Sequence, residues 1–516
     1  MSEKNYLQYF KRVQNGNDVR GAAIATDKEA LTISEPLAAY IARAFASYLS
    51  EKLGKPASEL RIGVGHDSRM TAPQMKAGCL LGLSMAKAYD CGLITTPAMF
   101  CSTVLPGSNF DGAVMITASH LPFNRNGMKF FTKDGALSKA ELTQILEQAA
   151  ALAGVFAEES PETLLTSDKL PVGDGTVTVF DMKSLYCEHM KEIIRANSGS
   201  DEEKPLTGLR IAVDSGNGAS GFFASDILEP LGADTEGSQF LNPDGTFPNH
   251  VPNPEDKTAM EAIQKATLEH HADLGVIFDC DGDRAAVVFS DGMPVNRNTL
   301  IALLGVIVAE QAPGSTVVTD SVTSDELAEF LEGSLGLKHL RFKRGYKNVI
   351  DKGIELNAAG EVCELAIETS GHGAFKENHF SDDGAYIAVK IICRMARLRA
   401  EGRNLEDLIQ NLKQPAEARE VRFSIQTDDF ASYGQQVLAD FQQFCAAEPS
   451  FQIVTPNYEG VRISFDLDGA RGWVLVRMSL HDPVLPVNLE SSVPGGCDLV
   501  WEKLMPFWNR YDKLHV

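Results

Sequence analysis

The sequence predicts three α/β domains followed by a C-terminal α+β domain. Three segments each have the pattern of a buried strand, a polar turn and then a helix. The last hundred residues instead alternate apolar and polar side chains, as half-buried antiparallel strands do. A length of 516 residues is enough for three or four domains, each with its own core.

The strand–turn–helix pattern occurs at residues 60–69, 209–218 and 315–327. Each copy has small or polar residues where a parallel strand would end, which is the edge at which open α/β sheets bind ligands. Stretches with few periodic apolar positions separate the copies. The predicted domains are therefore residues 1–165, 166–293, 294–412 and 413–516.

The C-terminal segment has a different pattern. Strands are predicted at residues 421–425, 461–465 and 473–480, and residues 430–445 have helical spacing between the first two. This mixture of antiparallel strands and a helix predicts an α+β domain.

The charge balance excludes some classes of partner. Asp and Glu number 70 against 47 Lys and Arg, a formal net charge of -23, which repels nucleic acid and anionic lipid. The most apolar run, residues 300–309, is too short to cross a bilayer, for which about 20 residues are needed. The charged N-terminus lacks the apolar core of a signal peptide. Nine scattered cysteines without a CxxC motif favour free thiols in the cytoplasm.

Residues 112–131 form the most informative loop. An apolar strand, residues 112–117, breaks into Ala118, Ser119 and His120, and the prolines and asparagines that follow prevent an immediate helix. The segment predicts a serine presented to a cleft, although a turn whose serine caps nearby backbone is the simpler alternative. Lys129 favours a functional role, because a lysine beside a phosphorylated serine supplies charge and carries protons.

A second loop, residues 273–289, concentrates acidic groups. Apolar strands flank Asp279, Asp281 and Asp283 on one tight turn. At about 5 Å and an effective dielectric of about 20, each carboxylate pair repels by roughly 3 kcal/mol. A hard divalent cation relieves this repulsion, and Mg²⁺ prefers a few carboxylates plus a phosphate oxygen. The loop therefore predicts a metal site, with a solvated acidic hairpin as the alternative.

Other candidate groups are weaker when taken singly. Glu368, Ser370 and His372 alternate, so in an extended segment they would share one face; carboxylates hold sugar hydroxyls, and histidine carries protons near neutral pH. Arg477 and Ser479 end a predicted strand, where a guanidinium and a hydroxyl suit a phosphate. An ordinary loop histidine and a surface arginine are the alternatives.

Taken together and in this order, the motifs resemble the α-D-phosphohexomutase superfamily, and most closely its phosphomannomutase/phosphoglucomutase branch. The resemblance covers nearly the whole chain and is carried by DVRG (18–21), VGHDSR (64–69), TASHLPFNRNGMK (117–129), VDSGNGA (213–219), PDGTFPNHVPNP (243–254), DCDGDR (279–284), ETSGH (368–372), GVRISF (460–465) and GWVLVRMS (472–479).

The resemblance implies three similar α/β domains with mixed sheets and a C-terminal α+β domain around a central cleft. It implies an enzyme that interconverts hexose 6-phosphate and hexose 1-phosphate, of mannose, glucose or both. The reaction would pass through a phosphoserine and a hexose 1,6-bisphosphate, which also serves as primer. The expected partner is a small phosphosugar, and the expected assembly is a monomer or homodimer.

The resemblance also implies roles for individual residues. Mg²⁺ would bind the phosphate of Ser119 and the carboxylates of Asp279, Asp281 and Asp283. Arg20 and Arg284 would supply positive charge around the transferring group, while Lys129 and His372 would carry protons. Glu368 and Ser370 would hold sugar hydroxyls, and Arg477 and Ser479 would bind the phosphate that does not react.

Three departures from the family pattern concern the substrate. Val322 stands where the family usually has a basic residue, and Tyr346 stands where a histidine is expected. Leu480 and His481 replace a small residue and a hydroxyl in the phosphate loop. These changes leave the phosphoserine chemistry intact but bear on which sugar is used.

Two alternatives remain open from the sequence. The segment 276–283 resembles the first motif of haloacid-dehalogenase-type sugar phosphatases, with Asp279 as nucleophile and Asp281 as acid, but this leaves the serine loop unexplained. A homologue that binds phosphosugar without turning it over would also fit the three departures.

Overall fold

The computed structural model describes residues 3–156, 161–166, 170, 171, 173, 175–479 and 482–516. The chain forms two compact units. The first comprises Met1–Asn296 with Ser370–Leu405, and the second comprises Arg297–Thr369 with Glu406–Val516. The departures at Leu480 and His481 lie outside the described residues. The four domain ranges stay a prediction.

The N-terminal part of the first unit contains a mixed sheet between helices. The elements are α1 Glu3–Arg12, β1 Gln14–Asn15, β2 Asp18–Ala22, α2 Glu35–Leu53, β3 Arg61–His66, α3 Ala72–Gly82, β4 Lys87–Leu93, α4 Thr96–Cys101, β5 Gly112–Ile116, β6 Arg125–Thr132, β7 Gly135–Ala136, α5 Lys139–Phe156 and β8 Val177–Val179. The strand order is β1-β2-β6-β5-β3-β4-β8, with β7 beside β6. Strand β3 is parallel to β4 and β5, and β6 is antiparallel to β5.

A second mixed sheet follows in the same unit. The elements are α6 Met182–Asn197, β9 Ile211–Asp214, α7 Lys257–Glu269, β10 Leu274–Phe278, β11 Ala285–Phe289 and β12 Pro294–Val295. The strand order is β12-β11-β10-β9, where β9 and β10 are parallel and β10 and β11 form an antiparallel hairpin. Every residue of β9, β10 and β11 is buried, as their largely apolar sequences predict.

The chain next enters the second unit and then returns to the first. The elements of the second unit are α8 Arg297–Gln311, β13 Thr316–Thr319, α9 Asp325–Glu329, β14 Lys338–Arg341, α10 Tyr346–Ala358 and β15 Cys363–Ile367; those of the first are β16 Gly373–Phe375 and α11 Gly384–Ala400. In the second unit, β13 lies between β14 and β15 and is parallel to both. In the first unit, α11 packs against α6 and β11.

The C-terminal part of the second unit is an antiparallel sheet with two helices. The elements are β17 Glu417–Ile425, α12 Phe430–Ala446, β18 Phe451–Ile453, β19 Val461–Leu467, β20 Ala470–Val476, β21 Val484–Ser491, α13 Gly496–Trp508 and β22 Leu514–His515. The strand order is β18-β19-β20-β21-β17-β22. The hydrophobic core of this region consists of aromatic and aliphatic residues of α12, α13 and the sheet, including Phe441, Phe507 and Val474.

The predicted fold class is therefore confirmed: three α/β regions with helices and mixed or parallel sheets precede an α+β region. Each predicted strand–turn–helix segment contains a parallel strand, namely β3, β9 and β13. Within the described residues, no helix combines the length and the apolar character needed to span a membrane.

Candidate active site

The first unit brings the serine loop and the aspartate loop together. Ser119 follows β5, the three aspartates occupy the turn between β10 and β11, and Lys129 projects from β6. The contacts described below link eight of the predicted site residues into one cluster, namely Arg20, Ser119, Lys129, Asp279, Asp281, Asp283, Arg284 and His372.

Ser119 is held in an unusual backbone conformation. Its φ of 51° lies in the left-handed region, which costs a residue other than glycine roughly 1–3 kcal/mol. The residue is only 2 % exposed, and its Oγ donates to Asp279 Oδ2 at 3.1 Å. Strained backbone of this kind persists only where the surrounding contacts maintain it.

The three carboxylates of the aspartate loop converge within the fold. One oxygen from each of Asp279, Asp281 and Asp283 lies within 4.8 Å of the others, and all three residues are buried. Thr96, at the start of α4, donates its hydroxyl to Asp281 Oδ2 at 2.6 Å. Gly282 makes the turn possible with a φ of 73°, and a Cβ there would lie 2.5 Å from Ser220 Oγ.

Two basic side chains offset this negative charge. Lys129 Nζ lies 3.1 Å from Asp281 Oδ2 and also donates to Asp283 Oδ2. Arg284 Nε donates to Asp279 Oδ2 at 3.1 Å. Lysine and arginine beside buried carboxylates stabilise their charged forms.

The pKa values of the three carboxyls separate accordingly. Burial, with the neighbouring Asp283 and Asp281, raises the pKa of Asp279 well above its usual range. Burial also opposes ionisation of Asp283, but Lys129, His372 and Arg284 outweigh it and lower its pKa. For Asp281, burial and Asp283 raise the pKa, whereas Lys129 and the Thr96 hydroxyl bring it below the ordinary value.

The same loop fits a divalent cation. Asp281 Oδ1 and Asp283 Oδ1 are buried without a hydrogen-bond partner, although buried polar atoms are normally paired. Together with an oxygen of Asp279 they form a compact set of hard ligands. The acidic triad can therefore bind a metal ion.

Two arginines flank the serine loop and the triad. Arg20 Nη1 donates to the carbonyl of Ala118, next to Ser119, at 2.9 Å. Arg284 is 1 % exposed; its Nη1 reaches Asn253 Oδ1 at 3.2 Å, while its Nη2 is buried without a partner. A guanidinium nitrogen left in this state beside a metal-binding loop is suited to bind an anion.

His372 joins the cluster from the segment after β15. Its Nδ1 lies 2.6 Å from Asp382 Oδ2 and 3.7 Å from Asp283 Oδ1. Burial lowers the pKa of His372, but Asp382 and Asp283 outweigh it and raise the pKa to about 9. The ring is therefore an imidazolium at neutral pH.

The extended segment expected around His372 is instead a turn. Thr369 and Ser370 form the turn, and Gly371 reverses the chain with a φ of 95°. Alternation along a strand therefore does not place Glu368, Ser370 and His372 on one face. Ser370 is half-buried in the turn, and His372 instead forms an isolated bridge with Arg284.

Three residues of the cluster were not assigned a role in the phosphoserine reaction from the sequence. His120 Nδ1 lies 3.2 Å from Ser119 Oγ, and burial, with Arg284 and Arg20, lowers the pKa of its ring to about 3. Thr96 and Asp382 contact Asp281 and His372 as described above. The Ser119–His120 pair was visible as a dipeptide, but no local pattern marks the other two.

Of the four remaining predicted residues, Ser370 lies in the first unit, and Glu368, Arg477 and Ser479 lie in the second. Glu368 is 4 % exposed and accepts a hydrogen bond from the backbone of Gly345. Arg477 is 6 % exposed, and its Nε is buried without a partner. Ser479 lines a cavity of about 530 Å³ together with Lys343 and Glu459.

Two of the departures from the family pattern lie in the second unit. Val322 is half-buried in the turn after β13, and Tyr346 is the first residue of α10. In this turn, Asp320 accepts from Thr369 Oγ1 at 2.7 Å, and its Oδ1 has no hydrogen-bond partner. Arg344 Nε lies 3.9 Å from Asp320 Oδ2.

Comparisons with known proteins identify the family. Models described as phosphoglucomutase/phosphomannomutase alpha/beta/alpha domains I, II and III match residues 11–153, 184–292 and 296–415. A phosphomannomutase/phosphoglucomutase of Pseudomonas syringae pv. tomato is 30% identical over 474 residues, 91% of this chain and 90% of the relative. A phosphoglucomutase of Neisseria gonorrhoeae is 26% identical over 91% of this chain and 92% of the relative.

A solved structure shows the same fold. A phosphoglucomutase/phosphomannomutase family protein from Burkholderia thailandensis superimposes with a TM-score of 0.76 at 22% identity, covering 98% of this chain and 97% of that one. The similarity extends through the C-terminal α+β region, which the three domain models leave unmatched.

Proposed function

The chain belongs to the phosphoglucomutase/phosphomannomutase family, and we propose on that premise that it interconverts the 6-phosphates and 1-phosphates of mannose and glucose. It is an isomerase of the phosphotransferase type. The relatives' names support this activity and not the haloacid-dehalogenase-type phosphatase with Asp279 as nucleophile. The observation that carries the proposal is the contact of Ser119 Oγ with Asp279, a member of the acidic triad.

Ser119 is the proposed carrier of the phosphoryl group. In the first step, its O–P bond breaks as a new O–P bond forms to the free hydroxyl of the bound hexose phosphate. The hydroxyl loses its proton, and Ser119 Oγ gains one. The hexose 1,6-bisphosphate then returns its other phosphate to Ser119, so that the same compound can also prime an unphosphorylated enzyme.

The residues around Ser119 supply charge and protons. Lys129 and His372 are the proposed proton carriers, and the His372 imidazolium is held in place by Asp382. Arg20 and Arg284 bind oxygens of the transferring phosphoryl group, for which Arg284 Nη2 is available. Positioning and charge neutralisation are what phosphoryl transfer chiefly requires.

Asp279, Asp281 and Asp283 are the proposed Mg²⁺ ligands, with an oxygen of phosphorylated Ser119. When bound, the ion supplies positive charge to the transferring phosphate. The unpartnered oxygens of Asp281 and Asp283 support this assignment.

Four further residues are proposed to bind the substrate. Glu368 and Ser370 bind sugar hydroxyls. Arg477 and Ser479 bind the phosphate that does not react, for which the unpartnered Arg477 Nε is suited.

All nine cysteines are buried thiols, which supports the proposed cytoplasmic location. A monomer or homodimer is the proposed assembly.

Intact-mass spectrometry and a coupled assay test the proposal together. We expect the purified protein to carry one phosphate that Ser119→Ala lacks. We also expect isomerisation of mannose or glucose 1-phosphate, with Mg²⁺ and glucose 1,6-bisphosphate present, to be lost in the same variant. Glucosamine 1-phosphate completes the substrate comparison.

Ser225→Ala is the matched control, because Ser225 is an exposed serine whose hydroxyl donates to its neighbour Asp226. This variant should retain both the phosphate and the activity. Phosphate release without isomerisation would instead favour a phosphatase. Phosphosugar binding without any turnover in the primed wild type would favour a homologue that only binds.

A further inference from the structure

One motif of the first unit has so far no role in the proposed reaction. Asp67, Ser68 and Arg69 follow β3, in the segment VGHDSR. Asp67 is 0 % and Arg69 1 % exposed, although neither contacts the acidic triad directly by hydrogen bond or ion pair. Charged residues are rarely this deeply buried unless their partners are well defined.

The partners of Arg69 are the backbone carbonyls of the serine loop. Its Nη1 donates to Pro122 O at 2.8 Å and to Arg125 O at 2.9 Å. Its Nη2 donates to Leu121 O at 2.7 Å and to Ser119 O. Four carbonyls of a single loop thus converge on one guanidinium.

The other side of the Ser119 peptide is fixed by the same motif. Ser119 N donates to Thr117 Oγ1 at 2.8 Å, and Thr117 Oγ1 donates to Asp67 Oδ2 at 2.7 Å. Asp67 Oδ2 in turn lies 3.2 Å from Arg69 Nε. Asp67 and Arg69 therefore restrain both the N–H and the C=O of Ser119.

We propose that Arg69 is the positioning residue of the phosphoryl-carrying serine, an inference that rests on the proposed role of Ser119. Its guanidinium gathers the loop carbonyls and so keeps Ser119 at a φ of 51°, with Oγ directed to Asp279. Without that restraint the loop relaxes toward ordinary backbone conformations, and Oγ leaves the line of transfer.

Only an arginine satisfies this arrangement. A guanidinium has five N–H donors in one plane, and here four point at loop carbonyls while Nε faces Asp67. A lysine has three donors on one nitrogen and cannot reach the same set. The ring of Phe247, 5.4 Å from Arg69 Cζ, covers the guanidinium.

The test uses Arg69→Lys and Thr117→Val, which act on opposite sides of the Ser119 peptide. Because Arg69 is buried and its guanidinium contacts backbone carbonyls of the serine loop and Asp67, we expect kcat to fall by about 100-fold, the scale of a 1 Å misplacement. KM should stay within about threefold of wild type, since substrate binding is untouched. Quenched intact-mass measurements should show slower transfer from glucose 1,6-bisphosphate to Ser119.

Arg61→Lys is the matched control. Arg61 lies on the same strand β3 and also donates to a backbone carbonyl, that of Ser108, at 3.0 Å, but it does not touch the serine loop. Its kcat and KM should remain within about twofold of wild type, as for most substitutions away from the site.

The outcomes separate the two proposals. Wild-type protein that neither carries phosphate on Ser119 nor turns over substrate overturns both the proposed function and the role of Arg69. Active wild type, with folded variants that keep wild-type kcat or change only KM, overturns the role of Arg69 alone. If Arg69→Lys fails to fold, Thr117→Val decides, because it removes one hydroxyl and preserves the shape of the side chain.

Discussion

Two carboxylates, Asp283 in the first unit and Glu490 in the second, respond to burial in opposite ways. Lys129 and other basic groups lower the pKa of Asp283 despite its burial. Glu490 receives a hydrogen bond from Trp473 Nε1 at 2.8 Å, but burial prevails and raises its pKa to about 7. The contrast shows that several basic neighbours outweigh burial at Asp283, whereas a single neutral hydrogen bond does not outweigh it at Glu490.

The same difference separates the two groups of proposed site residues. In the first unit, Lys129 and Arg284 contact carboxylates at 3.1 Å before any ligand arrives. In the second unit, Arg344 Nε is 3.9 Å from Asp320, and Arg477 Nε has no partner. The proposed catalytic groups of the first unit are thus already paired with one another, whereas Arg477 of the second unit keeps a donor that the proposed phosphate ligand would satisfy.

The largest expected effect comes from Asp281→Asn, which removes one of the paired charges of the first unit. Removing one charge from the triad should reduce kcat by about 10³-fold, a magnitude typical of lost electrostatic stabilisation in a dry site. Circular dichroism should show an unchanged fold, and the coupled assay should lose its response to Mg²⁺. Asp291→Asn, at an exposed turn, is the control. Wild-type activity in Asp281→Asn would refute the metal role.

Arg477→Ala tests the proposed phosphate-binding group of the second unit. A hydrogen bond to a charged group contributes about 1.5–3 kcal/mol, so KM for the hexose phosphate should rise by roughly 10- to 100-fold. The change in kcat should be smaller, because the phosphate bound there does not react. Arg471→Ala, an exposed arginine of the same sheet that pairs with Asp466, should leave both constants unchanged. A loss of kcat without a change in KM would contradict the assignment.

Glu490→Gln sharpens the pKa contrast. Because the folded-state pKa of about 7 exceeds the unfolded value of 4.5, the folded state retains a proton that the unfolded state releases, and stability falls as pH rises from about 4.5 through 7. The difference reaches about 3 kcal/mol. Melting temperatures from pH 5 to pH 8 should decline less in Glu490→Gln than in wild type.

The exposed residue Glu502 supplies the control for that experiment. Glu502→Gln should follow the wild-type pH dependence. If Glu490→Gln did the same, the pKa of Glu490 would be unshifted and the contrast with Asp283 would fail.

The smallest effect is expected from Val322→Lys, which adds a cation to the turn beside Asp320. A half-exposed charge contributes about 0.2–1 kcal/mol, so KM should fall by no more than about fivefold. Val322→Met, similar in length but uncharged, is the control. Equal KM values for the two variants would show that position 322 has no electrostatic role in binding.

The sequence predicted those parts of the site that are encoded locally. The aspartate loop needs only its three carboxylates between apolar strands, and the serine loop needs only the end of β5. The fold class followed from strand periodicity for the same reason. Each of these signals lies within about twenty consecutive residues.

The contacts that Thr96 and Arg69 make with distant segments were not predicted. Thr96 and Asp281 are 185 residues apart, and Arg69 and Ser119 are 50 apart. No periodicity or composition encodes such pairs, because they depend on how loops pack after the sheets have formed. The turn at Gly371 was mistaken for an extended segment because alternating polar residues also occur in turns.

The path of the chain between the two units has a consequence for dissecting the protein. Residues 370–405, with His372 and α11, pack in the first unit although residues 297–369 before them belong to the second. Deleting everything after residue 296 would thus remove His372 and also α11, which packs against α6 and β11 in the first unit. Neither unit is a contiguous gene fragment, so isolating either one requires joining separate segments with a new linker.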